Sequence, residues 1–132
     1  MATPGLNNVP SVRPVAQLIE RLEAALAAKG ITVFARIDHA AGAAAVGMQL
    51  RPTIVLIFGN PRAGTPLMQA QQLIGLDLPL RIMAWEDEHG RSWLTWHDLD
   101  WLIRYHGIDA TTQPTVAAMS ALLHGLTGEA AG

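Results

Sequence analysis

One segment of the chain nearly matches the loop with which many proteins hold nucleotide phosphates. It reads IVLIFGNPRAGTP over residues 54–66, with Gly59 and Gly64 separated by four residues and Thr65 directly after them. A phosphate loop depends on inward-pointing backbone N–H groups and on a lysine that reaches the terminal phosphates. Here Gly64, and not a lysine, stands directly before Thr65, and each of the two prolines removes a backbone donor. The segment therefore predicts a buried strand that leads into a helix, and not a nucleotide site.

The start of that helix is a candidate ligand site. Asn60 can cap the helix, and Arg62, Thr65 and Met68 follow it. Free N–H groups at a helix N-terminus attract a carboxylate or another anion. The alternative is that Asn60 and the proline after it only form a tight exit from a buried strand.

Asp38 and His39 form a second candidate site, at the end of the preceding predicted strand. Histidine is the usual general base because it titrates near neutral pH. If the chain bends at Asp38, the ring of His39 can face a cleft beside Asn60. The alternative is that Asp38 caps a short helix and that His39 is structural.

The other reactive residue types predict no metal site and no cofactor. The five histidines form no H-x-H or H-x-x-x-H pair, and the densest group is His97 with Asp98 and Asp100. Asp98 is better explained as a helix cap. The absence of cysteine excludes disulfides, thiolate ligands and thiol chemistry.

Composition limits the class of protein. Of the 132 residues, 50% are hydrophobic and 15% are charged, and the formal net charge is −2 with scattered basic residues. This balance predicts no nucleic-acid partner. No apolar run approaches the roughly 20 residues of a membrane span, and the first residues lack the pattern of a secretory signal. We therefore expect a soluble cytoplasmic protein without a membrane partner.

Hydrophobic periodicity predicts an α+β fold. The expected organisation is a flexible lead-in over residues 1–13, a single α+β domain over 14–126 and a flexible tail over 127–132. Within the domain we expect a two-layer sandwich, with an approximately four-stranded mixed sheet that ends in a C-terminal hairpin and is covered by helices. The predicted strands lie near residues 31–37, 53–59, 80–87 and 91–97.

The first two of these strands are expected to run parallel. Between Asp38 and Pro52 the chain has about the dozen residues that a parallel crossover requires. The carboxyl ends of both strands would then lie on one side of the sheet, where ligands commonly bind. In that arrangement Asp38, His39 and Asn60 share one pocket, with Arg62, Thr65 and Met68 on its rim.

Tryptophans concentrate in the hairpin and the helix after it. Trp93 and Trp96 are three residues apart on a predicted strand, so they point to opposite faces. At least one should lie away from the core, on an outer face or in a subunit contact, although ordinary packing is the alternative.

The mean hydropathy of +0.23 is high for a small monomer. We therefore expect a homodimer, formed through the sheet or the hairpin.

Several motifs together resemble a known family. The stretches GITVFARIDHAAGA, LRPTIVLIFGNPRAGTPLMQA, LDLPLRIMAWED and WLTWHD are similar to the bacterial and archaeal family called domain of unknown function 302, over residues 14–107. The resemblance implies a small two-layer α+β fold, commonly met as a self-associating unit, and no assigned reaction. The residues that match the motifs of the family are Asp38, His39, Gly59, Asn60, Pro61, Thr65, Pro66, Met68 and Pro79.

Two classes of function follow from the sequence. In the first, the protein is a homodimeric module that binds a small molecule, such as an anion, through Asp38, His39, Asn60, Arg62, Thr65 and Met68. In the second, it is an enzyme in which His39, with Asp38, is the acid–base group at the same cleft. A structural or interaction role also stays open. Nothing in the sequence identifies the ligand.

Overall fold

The computed structural model describes residues 3–132, apart from the side chain of Thr112. These residues form five strands and five α-helices, with two short 3-10 helices. In chain order they are β1 (Leu6–Ser11), α1 (Val15–Ala28), β2 (Thr32–Asp38), α2 (His39–Ala45), β3 (Thr53–Gly59), α3 (Pro61–Ala70), the 3-10 helix Gln72–Asp77, β4 (Leu80–Glu86), β5 (Ser92–His97), α4 (Leu99–Tyr105), the 3-10 helix Ala110–Thr112 and α5 (Thr115–Ala131).

The sheet confirms the predicted α+β sandwich, but it has five strands and every pair is antiparallel. The strand order is β1-β5-β4-β3-β2. On β3, Ile54, Leu56 and Phe58 are buried in the core, whereas the alternate residues Val55 and Ile57 are half-buried and belong to the opposite face. Helices α1, α4 and α5 supply much of the remaining core, and β4, β5, Leu67, Ile74 and Ile108 complete it. The hairpin of β4 and β5 lies where the sequence predicted it.

The prediction that β2 and β3 run parallel is wrong. Thr32 pairs with Gly59 and Asp38 pairs with Ile54, so the chain reverses direction between these strands. The connection is long enough for either arrangement, so its length does not decide the direction. Helix α2 has no buried residue. It therefore lacks the apolar stripe with which a crossover helix packs onto a sheet.

Strand β1 lies within the segment that was predicted to be a flexible lead-in. Leu6 pairs with His97 and Ser11 pairs with Ser92, which makes β1 an edge strand. An edge strand tolerates the proline at position 10, and this proline hid the strand from pattern analysis. At the other end of the chain, α5 continues through Ala131, so residues predicted as a tail are helical.

Helix α1 buries one apolar stripe, and its partner in the helical layer is α5. Leu18, Ile19 and Leu22 are fully buried. Arg21 donates from Nε to the carbonyl of Ala130 at 3.0 Å and from Nη2 to the carbonyl of Glu129 at 2.7 Å. These bonds hold the last turn of α5 against α1.

Candidate functional site

A cavity of about 480 Å³ lies where β3 ends and β2 begins. Its floor is the end of the sheet, and its walls come from α3, the 3-10 helix Gln72–Asp77 and α5. Most of its lining side chains are apolar, among them Phe34, Phe58, Met68, Leu78, Met119 and Leu122. The polar residues in the lining are Asn60, Arg62, Thr65 and Thr115.

Asn60 positions α3 at one side of the cavity. Its side chain accepts a hydrogen bond from the Arg62 N–H at 2.9 Å, and its carbonyl accepts from Ala63 and Gly64 at 2.9 and 3.2 Å. The predicted cap is therefore confirmed, and it occupies the N–H groups that an anion would have used. Thr65 lies within α3, which is continuous from Pro61 to Ala70.

Arg62 is the charged residue at the mouth of the cavity. Its side chain is exposed, and its guanidinium makes no hydrogen bond or ion pair with any of the residues that the structure describes. A guanidinium offers five N–H donors in a planar fork that matches a carboxylate. It is therefore the group in the lining best suited to hold an anion.

Two glycines allow close packing around the cavity, and one of them, Gly59, is the first glycine of the segment that resembles a phosphate loop. A Cβ atom on Gly59 would lie 3.3 Å from the Cβ of Pro79, and one on Gly75 would lie 3.1 Å from the Sδ of Met68. Both distances are tighter than ordinary contact. Gly64 has more room, because a Cβ atom on it would lie 3.5 Å from Leu78 Cδ1, which is an ordinary contact.

An irregularity in β2 brings Phe34 to the cavity. Val33 pairs with Phe58 and Ala35 pairs with Ile57, so Phe34 is left without a partner across the ladder. Such a bulge redirects a side chain and is common beside binding sites. The ring of Phe34 lines the cavity and is 53% exposed.

Thr115 adds an unpaired hydroxyl to the wall formed by α5. Its Oγ1 is buried and has no hydrogen-bond partner among the described residues. A buried hydroxyl without a partner destabilises a fold by about 1–3 kcal/mol. Sequence analysis missed this residue because nothing local connects it to Asn60 or Arg62.

The structure separates Asp38 and His39 from the other predicted site residues. Asp38 pairs with the start of β3, so it lies roughly 17 Å along the strand from Gly59, at about 3.4 Å per residue. Asp38 caps α2 by accepting from the Ala41 N–H at 2.9 Å, and His39 is exposed. The prediction of one shared pocket is therefore wrong, because β2 and β3 are antiparallel. Asn60, Arg62, Thr65 and Met68 do come together at the cavity.

A histidine–carboxylate pair supports the cavity wall from behind. His106 Nε2 lies 2.6 Å from Asp77 Oδ2, and the side chain of His106 is 9% exposed. Asp77 ends the 3-10 helix that contributes Gly75 to the cavity. The pair joins that wall to the end of α4. Its members are 29 positions apart in sequence, so no local pattern indicates it.

The tryptophans divide between the two faces of the sheet, as their spacing predicted. Trp96 is buried in the core, whereas Trp93 stacks on Trp85 on the opposite face, with ring centroids 6.3 Å apart. The indole N–H of Trp93 donates to Asp87 Oδ2 at 2.9 Å. This bond, with the N–H groups of Arg91 and His89, lowers the pKa of the Asp87 carboxyl below its ordinary value.

The family of the protein follows from this fold and from its sequence. Residues 7–126 match the family described as "Domain of unknown function DUF302", and the chain belongs to that family. A crystal structure described as an uncharacterized conserved protein DUF302 from Bacillus stearothermophilus superposes with a TM-score of 0.83, over 97% of this chain and 99% of that chain. The two sequences are 18% identical, so the likeness establishes the fold alone.

Curated relatives carry a different description. Proteins named "Fluoride-specific ion channel FluC 1" from Brucella suis biovar 1 (strain 1330) and Brucella abortus biovar 1 (strain 9-941) are each 45% identical to this chain over 128 residues. The match covers 97% of this chain but 50% and 47% of those proteins, so the chain spans about half the length of these relatives. Within residues 3–132, no helix combines the length and the apolar character needed to cross a membrane.

Proposed function

We propose that the protein is a homodimeric domain that binds a small molecule in the cavity between β3, α3 and α5. The observation that supports this function is the cavity itself. Its volume of about 480 Å³ lies within the range of roughly 300–1,000 Å³ that is usual for ligand sites. Predominantly apolar walls with a few polar groups are also typical of such sites.

The composition of the cavity favours binding over acid–base catalysis. No histidine and no carboxylate is among the described residues that line it. General acid–base chemistry needs a titratable side chain within hydrogen-bonding reach of the substrate. The enzyme hypothesis placed His39 at this cleft, and the antiparallel strands put that residue at the far end of β2.

A thermal-shift screen against a metabolite library tests the binding function. A ligand present at 100 times its dissociation constant stabilises the folded state by about 2.7 kcal/mol. The matched variants are Ala118→Phe, whose ring would occupy the cavity, and Ala117→Phe, which adds the same ring at an exposed position outside the lining. We expect compounds to stabilise the wild type and Ala117→Phe but not Ala118→Phe. Equal stabilisation of both variants would place the ligand elsewhere.

For the longer relatives, we infer that the region equivalent to this chain is not the part that conducts fluoride. The inference is supported by the lack of a membrane-spanning helix in the described residues and by the remaining half of those relatives, which the match with this chain does not cover. The apolar lining also suits an organic ligand better than a strongly hydrated halide. We expect sodium fluoride to change the melting temperature no more than sodium chloride at equal ionic strength. A fluoride-specific shift would contradict this inference.

The homodimer is supported by the sheet face that points away from the core. Ile37, Val55 and Met83 are aligned across β2, β3 and β4, and Trp85 and Trp93 stack beside them. None of these residues belongs to the buried core. An apolar face of this kind is typical of the centre of a subunit interface.

A further inference from the structure

We propose that the ligand is an amphipathic carboxylate, a saturated acyl chain whose hydrocarbon lies in the cavity and whose carboxylate binds Arg62. This inference rests on the proposed binding function and specifies its ligand. Three observations support it: the chemistry of the inner walls, the charge at the mouth and the adaptability of the side chains between them.

The inner walls suit hydrocarbon. Phe58 is fully buried, Met119 is 5% exposed, and Leu78, Leu80 and Leu122 complete the interior. The amide oxygen of Asn60 already caps α3. A sugar or nucleotide would bring many hydroxyl and amide groups against these walls, and each group buried without a partner weakens binding.

The mouth selects an anionic head group. Arg62 is the charged residue in the described lining, and no acidic side chain accompanies it there. The protein as a whole carries a formal net charge of −2, so it does not attract anions generally. A carboxylate at Arg62 can accept two parallel hydrogen bonds from the guanidinium. The ring of Phe34, 53% exposed beside the mouth, would be covered by the first methylenes of the chain.

The walls can adapt to a flexible chain. Met68 and Met119 face the cavity, and the thioether of Met68 lies over Gly75. Methionine has three rotatable side-chain bonds and fills irregular spaces without strain. Such walls can follow an acyl chain that changes conformation. A rigid ring system would instead fit best between walls of fixed shape.

Isothermal titration calorimetry of the full chain with octanoate, decanoate and dodecanoate tests the proposal. Each added pair of methylenes should tighten the dissociation constant about fifteenfold until the cavity is full, at roughly 0.8 kcal/mol per buried methylene. 1-Decanol should bind more weakly than decanoate, and decyltrimethylammonium more weakly still. Arg62→Gln should weaken decanoate binding about tenfold, whereas Arg104→Gln, a change at an exposed arginine outside the cavity, should have no effect. Higher ionic strength should weaken the binding of decanoate but not the binding of 1-decanol.

The controls separate this proposal from the function on which it rests. If decanol or the cation binds as tightly as decanoate and Ala118→Phe blocks that binding, the carboxylate is excluded while the cavity remains a binding site. If no alkyl compound binds but other compounds bind and are blocked by Ala118→Phe, the acyl chain is excluded. If Ala118→Phe blocks nothing, both proposals fail. Co-sedimentation with phosphatidylglycerol vesicles without binding of monomeric decanoate would identify a membrane lipid as the ligand and overturn a free acyl carboxylate.

Discussion

At the scale of single residues, the unpaired hydroxyl of Thr115 leads to the first prediction. Thr115→Val keeps the shape of the side chain and removes the buried Oγ1 that has no partner among the described residues. We expect the free energy of unfolding to rise by about 1 kcal/mol, because an unsatisfied buried polar group is lost. Chemical denaturation of the wild type and the variant measures this difference in the free energy of unfolding. The control is Thr127→Val on the same helix, where the hydroxyl donates to the Leu123 carbonyl at 2.8 Å. That change should not stabilise the protein, and a loss of stability in Thr115→Val would contradict the prediction.

Asp87 leads to a prediction on pH. Its hydrogen bonds to the Trp93 indole and to the N–H groups of Arg91 and His89 lower the carboxyl pKa from 3.8. A lowered pKa in the folded state stabilises the protein above the ordinary pKa, and this stabilisation disappears as the pH falls through the lower folded value. The stability difference between wild type and Asp87→Asn should therefore shrink as the pH falls below about 4, measured by denaturation at each pH. A constant difference for Asp87→Asn across this pH range would refute the assignment.

At the scale of elements, the contact between α1 and the end of α5 depends on Arg21. Its guanidinium binds two terminal carbonyls of α5, where a positive charge also interacts favourably with the negative end of the helix dipole. Arg21→Met keeps much of the apolar stem and removes these bonds. We expect a loss of about 1–2 kcal/mol, read as a lower denaturant midpoint. Arg104→Met, at an exposed position, should change stability by less than about 0.5 kcal/mol. Equal effects of the two changes would show that the α5 contacts contribute nothing.

Elements whose signal is local could be predicted from the sequence, and elements defined by distant pairing could not. The hairpin was predicted because its two strands and the polar turn between them are contained in one short stretch. Strand β1 was missed because its partner, β5, is distant in sequence and its own residues include a proline. The predicted direction of β3 relative to β2 was wrong because the length of the chain between the two strands permits both the parallel and the antiparallel arrangement.

The same distinction applies to the candidate site. Asn60, Arg62, Thr65 and Met68 were predicted from the pattern of one strand and the helix after it, and they do line one cavity. Thr115 comes from another element, and only the folded chain brings it there. Local chemistry also misled at His39, because an adjacent carboxylate and imidazole suggested a reactive pair at a position where Asp38 is a helix cap.

At the scale of the whole molecule, the open sheet face predicts the oligomeric state. We expect a dimer in sedimentation velocity at tens of micromolar. Ile57→Arg places a charge on this half-buried apolar face and should yield monomers, because an unpaired charge in an interface is strongly unfavourable. Val46→Arg, at a position that is 72% exposed and outside the sheet, should remain dimeric. A wild-type monomer, or dissociation by Val46→Arg alone, would exclude this face as the interface.

The strand order also has a consequence for how the chain folds. Strands β2, β3, β4 and β5 are neighbours both along the chain and in the sheet, so each of their pairings closes a much shorter segment of chain than the pairing of β1 with β5. Strand β1 must instead find β5 from the other end of the domain, with Leu6 opposite His97. Contacts between distant residues form late because their loop-closure entropy is lost before they contribute stability. In pulse-labelled hydrogen exchange during refolding, the amides of β3 and β4 should be protected before those of β1. Protection of all strands in one step would show that the sheet closes as a single unit.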